Sequence, residues 1–375
     1  MKQTTYDFAV IGAGIAGASV AAELAGHASV ILLEMEKQPG YHATGRSAAT
    51  LAASYGPPAI RALTRASEAF FNAPYPGFAE HPLIGERGLM LIATREQLES
   101  LDALEEELSR DMAVLRVDEH HARAYCPLLR ENYVAQALYD PVSKDIDVHA
   151  LLQGYLRMFK ARGGRIATDH EVLGLSRSAS GWEIRTRESR IHAGTVINAA
   201  GAWGDVVGRM AGAQPVGLVP KRRTAAIITP PSGINPGSWP LTIDCDEQFY
   251  LKPDAGRVMI SPADETPVPP CDAQPTDLDI ALCVDRIETA FAVQIRRVER
   301  KWAGLRSFVA DKNPVCGFDP DVSGFFWLVG QGGYGIQTAP ALSRLAAALA
   351  QGKPAPGDIL DQGCSPASIA PHRLR

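Results

Sequence analysis

The residues whose types and spacing best specify chemistry stand at the start of the chain. Gly12-Ala13-Gly14-Ile15-Ala16-Gly17 has the spacing G-x-G-x-x-G and directly follows the apolar run Tyr6 to Ile11. Gly12 permits a tight turn. Gly14 lets a pyrophosphate approach the backbone with no Cβ in the way, and Gly17 permits close packing of helix on strand. A helix starting at Ile15 and Ala16 offers unbonded N–H groups and its positive end to phosphates. Glu34 closes the next apolar run, 17 residues beyond Gly17, where a carboxylate accepts the ribose hydroxyls. That charge repels a 2′-phosphate, which disfavours NADP. The glycine spacing alone also fits a structural turn. Strand, helix, second strand and acid together point to a dinucleotide, without separating FAD from NAD.

Three further segments favour FAD. Thr44-Gly45-Arg46-Ser47-Ala48-Ala49 is a small-residue loop suited to lie against a flat ring. Val196 to Ala199 is apolar and runs into Ala200-Gly201, which again allows close approach. Gly332-Gly333-Tyr334-Gly335-Ile336 precedes the last helix, whose N-terminus favours negative charge on a reduced flavin. No second fingerprint for a nicotinamide is visible.

The elements that must position these residues follow from pattern. Tyr6–Ile11 and Ser29–Leu33 are predicted strands around a helix Ile15–Leu24, a β-turn-α-β unit. Lys37–Arg46 is a predicted loop, alanine-rich Ser47–Ser54 a helix, and Pro57–Phe71 a helix with a proline start. Gly88–Thr94 reads as a strand, and Arg95–Arg110 and Asp147–Arg162 as helices. Strands are predicted near 165–167, 171–175, 182–186 and 194–199, then among Pro and Gly turns at 222–228, 248–252 and 258–261. Asp277–Thr289 is a predicted helix, Trp302–Phe308 and Phe325–Val329 strands, Thr338–Ala350 a helix, and the tail after Gly352 a loop.

Composition excludes whole classes. The chain has 375 residues, 46% hydrophobic and 21% charged, as in a folded globular protein rather than a disordered or fibrous one. Its net charge of −5 gives no reason to expect nucleic acid or an anionic membrane as partner. No apolar run is long enough for a membrane span. Six cysteines show no C-x-x-C pair, so reduced thiols in a cytoplasmic protein are expected, with no metal site. His120-His121 are adjacent and would not face one ion from a helix.

Longer stretches carry a family resemblance. VIGAGIAGAS (10–19), QPGYHATGRSAA (38–49), PKRR (220–223), FYLKPDAG (249–256), WAGLRSFVAD (302–311) and QGGYGIQT (331–338) resemble the D-amino-acid oxidase-like family of FAD-dependent oxidoreductases. That family includes glycine oxidase and sarcosine oxidase, and the likeness is strongest to its D-arginine dehydrogenase branch. The resemblance implies an α/β fold of two domains. One is a dinucleotide-type FAD-binding domain with a parallel sheet, assembled from residues 1–85, 145–220 and 300–375. The other is a substrate domain with a mixed, mainly antiparallel sheet flanked by helices, from 86–144 and 221–299. It also implies noncovalent FAD and oxidation of a D-amino acid to an imino acid by hydride transfer to flavin N5, giving a 2-oxo acid and ammonia. The branch's carboxylate-binding arginines correspond to Arg223 and Arg306, its substrate-side tyrosines to Tyr55 and Tyr250, and the glycine whose carbonyl meets the amine to Gly333.

Two positions depart from the branch: Thr50 stands where it has a histidine, and Leu89 where it has the glutamate that pairs with a cationic side chain. Leucine cannot replace a charge-assisted contact to a guanidinium. A neutral or apolar side chain is therefore expected over arginine or lysine.

The residue types suit this chemistry. An arginine fork binds a carboxylate bidentately, and hydride transfer from a neutral amine needs no strong base. Structural readings stand beside these: an ion pair for Arg306, a solvated cluster for Arg223, core aromatics for the tyrosines, and a plain helix-start turn for Gly333. Two other functions also fit the sequence: oxidation of a secondary amine or imino acid such as D-proline or sarcosine, and a non-catalytic FAD scaffold. Oxygen, a quinone or a carrier protein remain open as electron acceptor.

Overall fold

The computed structural model describes residues 5–110, 112–178 and 181–375. The first four residues of the expected FAD unit lie outside the described residues. Thr5–Ile11 is a strand and Ile15–Leu24 a helix, joined by the glycine turn. Gly12 adopts φ +99°, which its missing Cβ permits. A Cβ at Gly17 would stand 1.8 Å from the Gly12 carbonyl oxygen, so helix and turn pack backbone to backbone there.

Eight strands form the first sheet. Thr5–Ile11 pairs in parallel with Val30–Leu33 on one side and with Arg190–Asn198 on the other; the latter pairs in parallel with Phe325–Val329. Every residue of Val30–Leu33 and Phe325–Val329 is buried, as a parallel sheet covered on both faces requires. The registers Ile11↔Leu33 and Ile11↔Asn198 bring the strand ends level. Gly12, Glu34, Ala199 and Gly330 therefore leave the sheet along one edge, the crevice at carboxyl ends where such sheets bind ligands. Helix Ile15–Leu24 packs against helices Gly335–Ala350 and Val148–Ala161.

Nine strands form the second sheet, mostly antiparallel. Arg300–Phe308 belongs here, pairing with Val219–Ile228, although the sequence reading assigned residues 300–375 to the FAD unit. In that register Lys221 faces Arg306 directly, so Arg223, two residues on, shares its face. Leu241↔Leu89, Ile243↔Leu91 and Ile243↔Tyr250 place five more side chains on one face.

Ser47–Ser54 is not a helix. Ser47 is extended, and Thr50–Leu51 pairs with Lys144–Asp145 in a small three-stranded sheet with Ile84–Glu86. The Ala48 and Ala49 carbonyls accept from Lys252, and the Ala49 N–H donates to Ser47 Oγ. Tertiary hydrogen bonds thus override the helical preference of the alanines. The final helix begins at Gly335, ahead of the expected Thr338. The tail contains a short helix, Gly357–Asp361, and two 3-10 turns. Strands 115–118, 136–140, 241–244 and 315–318 and helix 119–125 had no legible signal. Among the described residues, no helix is long and apolar enough to cross a membrane.

Candidate active site

A groove of about 270 Å³ runs along the carboxyl edge of the first sheet. Gly12, Gly14, Ile15, Ala16, Glu34 and Thr44 line its start. Glu34 is buried, and its carboxylate accepts from the N–H groups of Ala13 (2.7 Å) and Glu36 (3.0 Å). Burial pushes its pKa above the ordinary value, with those bonds opposing. Thr44 Oγ1 accepts from the Ile15 N–H at 3.0 Å and so ties the expected loop to the helix start. Ala200, Gly201, Gly332, Gly333, Gly335 and Ile336 line the groove further along, as do Arg46, Ser47 and Ala48.

Three expected cofactor residues act otherwise. Gly17 sits behind the turn. Gly45 shapes a turn, its N–H bonding the Gly40 carbonyl. Tyr334 packs its ring on Tyr55 and Phe308 outside the groove lining. Arg46 lines the groove, yet its guanidinium is held by the Ala273 and Ala303 carbonyls and by Asp272, so it ties down the loop around Cys271 instead of facing a phosphate.

The groove suits FAD on its own geometry. Helices Ile15–Leu24 and Gly335–Ala350 both start at it with no acid in the first turn and no side-chain bond from their N-cap residues, and at the first, among the described residues, only the Ile15 N–H is taken up, by Thr44. A Cβ at Gly201 would meet nothing within 4 Å. Two buried polar atoms of lining residues, Arg223 Nε and Ser307 Oγ, have no hydrogen-bond partner among the described residues.

A second cavity, about 60 Å³, adjoins it. All seven residues expected at the substrate line it: Thr50, Tyr55, Leu89, Arg223, Tyr250, Arg306 and Gly333. Arg223, Arg306, Tyr250, Gly333, Ser47 and Ala48 line both spaces and form a shared wall. Leu89, Leu241, Ile243 and Ala263 make the remaining surface largely apolar. Arg223 is 7% exposed, not solvated; Arg222, on the opposite face, pairs with Asp279.

Arg306 Nη1 donates to Tyr55 Oη at 3.4 Å, and the guanidinium lies so close to Gly333 that a Cβ there would stand 2.7 Å from its Cζ. The Tyr55 hydroxyl donates to Glu247 Oε2 at 3.2 Å. Burial pushes the Tyr55 phenol upward, so it stays protonated and able to donate. Arg223 Nη2 stands 3.1 Å from Glu265 and 3.9 Å from Glu247. One side of this guanidinium is therefore fixed while its Nε is unpartnered. Gln337 accepts from the Ala52 N–H and donates to the Tyr55 carbonyl, linking the last helix to the Tyr55 segment.

Sequence reasoning missed Glu247, Glu265, Gln337 and Lys252. None falls in a motif; Glu247 sits in a turn at φ 54°, and Glu265 becomes relevant only through the pairing of distant strands. His42 bonds Glu36 at 2.8 Å and packs on Trp203 at the groove. His121 pairs with Asp118 on the surface. Among the described residues, no group of three or more potential ligands is placed to hold a metal.

The chain matches the FAD dependent oxidoreductase (DAO) family over residues 7–349 and belongs to that family. It is 30% identical over 224 residues to an L-2-hydroxyglutarate dehydrogenase of Escherichia coli O17:K52:H18, covering 56% of this chain and 51% of that one. It is 24% identical to the human mitochondrial sarcosine dehydrogenase, covering 64% of this chain and 28% of that one. The chain thus spans about half the length, or less, of these curated relatives, and neither bears the name of the D-arginine dehydrogenase branch that the motifs resemble. The fold is similar to glycine oxidase from Geobacillus kaustophilus, with a TM-score of 0.81, 23% identity, and 93% and 95% of the two chains covered. The chain is thus a member of the FAD-dependent oxidoreductase family, with a mixed α/β fold.

Proposed function

We propose that the protein oxidises a D-amino acid with a neutral or apolar side chain to an imino acid, which hydrolyses to a 2-oxo acid and ammonia. The observation that carries this reading is the shared wall: two guanidinium groups, buried Arg223 and half-buried Arg306, stand where the second cavity meets the FAD groove. FAD, when bound, supplies the two-electron acceptor. The protein's own groups do the rest. Arg306 and the free edge of Arg223 hold the substrate carboxylate, with Tyr250 beside them. The Gly333 carbonyl accepts from the amine, and Leu89, Leu241 and Ile243 exclude water around the side chain. The configuration at Cα rests on the motif likeness.

Charge decides among neighbouring substrates. Glu247 is engaged by Tyr55 and faces Arg223, so it offers no ready partner for a guanidinium. Its carboxylate also repels a second substrate carboxylate, which speaks against a dicarboxylic hydroxy acid. A secondary amine is the alternative, favoured by the sarcosine dehydrogenase likeness. The test is steady-state kinetics on D-Met, D-Leu, D-Phe, D-Arg, D-Lys, D-Pro and sarcosine with a dye acceptor, with and without air. The apolar amino acids are expected to lead; a lead by the cationic pair refutes the reading, and a lead by D-Pro or sarcosine selects the alternative.

A further inference from the structure

Lys252 lines neither cavity, yet it grips the strip that lines both. It lies on strand Tyr250–Asp254, two residues from Tyr250 and on the same face, and is 7% exposed. Its ammonium donates to the Ala48 carbonyl at 2.6 Å and the Ala49 carbonyl at 3.2 Å, and stands 2.9 Å from Asp145 Oδ1 as an ion pair. Two carbonyl acceptors and an adjacent carboxylate charge offset the cost of burying the ammonium. Asp145 is held in turn by Arg87 at 2.7 Å and lies opposite Thr50 in the small sheet.

The geometry fixes more than two carbonyls. In a trans peptide, C=O and N–H point in opposite directions. With the Ala48 carbonyl drawn to Lys252, the Ala49 N–H is turned to Ser47 Oγ at 3.2 Å. Ser47 and Ala48 line groove and cavity, and Thr50 lines the cavity. We propose that Lys252 is a positioning residue for flavin reduction: its ammonium sets the placement of the Ser47–Thr50 strip, and so the distance and angle at which substrate meets the cofactor. This rests on the reading of the two spaces as cofactor and substrate sites.

The experiment compares Lys252→Met and Lys252→Arg holoenzymes with the unmodified protein. Two quantities are measured: the visible circular dichroism of bound FAD, and the anaerobic rate of flavin bleaching as D-methionine is raised to saturation. In Lys252→Met the dichroism should change and the limiting rate should fall by at least about 30-fold, with the half-saturating concentration within about fivefold, because ångström-scale misplacement acts on the reacting geometry. Lys252→Arg, which keeps donors for the same carbonyls, should hold the limiting rate within about fivefold. If the methionine form does not fold, Lys252→Gln replaces it with the same expectations. A Lys252→Met protein with unaltered dichroism and rate overturns the proposal, as does a Lys252→Arg protein impaired as deeply as Lys252→Met. If no D-amino acid bleaches the flavin, the substrate reading fails while the dichroism still decides the role of Lys252.

Discussion

Replacing Arg306 with methionine removes one guanidinium of the clamp while keeping a side chain of comparable length. Arg306 touches Tyr55 at 3.4 Å and lies against the Gly333 backbone, and among the described residues no carboxylate forms an ion pair with it. A substrate carboxylate is therefore the partner its charge lacks. Losing one charge-assisted pair in a site closed to water costs about 3–5 kcal/mol. At 1.4 kcal/mol per decade, that lowers kcat/KM by roughly two to three and a half orders of magnitude. The loss should fall mainly on substrate binding, since the carboxylate is held before and during reaction alike. Anaerobic bleaching of the flavin at rising D-methionine measures binding and limiting rate separately. Arg306→Lys should be intermediate, keeping the charge and losing the fork. A less than fivefold loss in Arg306→Met, with FAD still bound, would refute the clamp.

Other expectations follow from the same geometry. Gly17→Ala should fail to fold or lose several kcal/mol of stability in a thermal melt, because its Cβ would meet the Gly12 backbone oxygen at 1.8 Å. Gly333→Ala should raise KM for every carboxylate substrate by displacing the Arg306 guanidinium, with FAD affinity affected less. Cys271 is exposed and lines the groove, whereas Cys126, Cys283, Cys316 and Cys364 are buried. Burial pushes the Cys126 and Cys283 thiols up to about 12. A thiol reagent should thus find one fast site, lost in Cys271→Ser and slowed by FAD. The hydrogen bond from Arg46 holds the Asp272 carboxyl below its ordinary value of 3.8. The folded form then binds fewer protons there, so the loop tie is intact above that value and is lost as pH falls through the lowered one. Acid release of FAD should begin at higher pH in Asp272→Asn, which lacks the ion pair throughout.

The sequence was most readable where chemistry is local. Helix Ile15–Leu24 and strands 165–167 and 325–329 match their expected bounds, because short apolar runs and glycine stops define them. Residues drawn from six separate segments meet at the second cavity, which motif likeness anticipated and periodicity could not. Ser47–Ser54 misled because alanine favours a helix until distant donors claim its carbonyls, and Lys252 lies over two hundred residues away. Glu247 and Glu265 escaped notice for the same reason: their neighbours are set by strand register, not by spacing along the chain.

The partition of six residues between groove and cavity has a thermodynamic consequence. A ligand that orders this partition from one side lowers the cost of occupying the other, and the benefit is reciprocal by linkage. Where one ligand's binding orders the wall for the other, release of the flavin is expected to slow when substrate is present and to quicken when it is withdrawn.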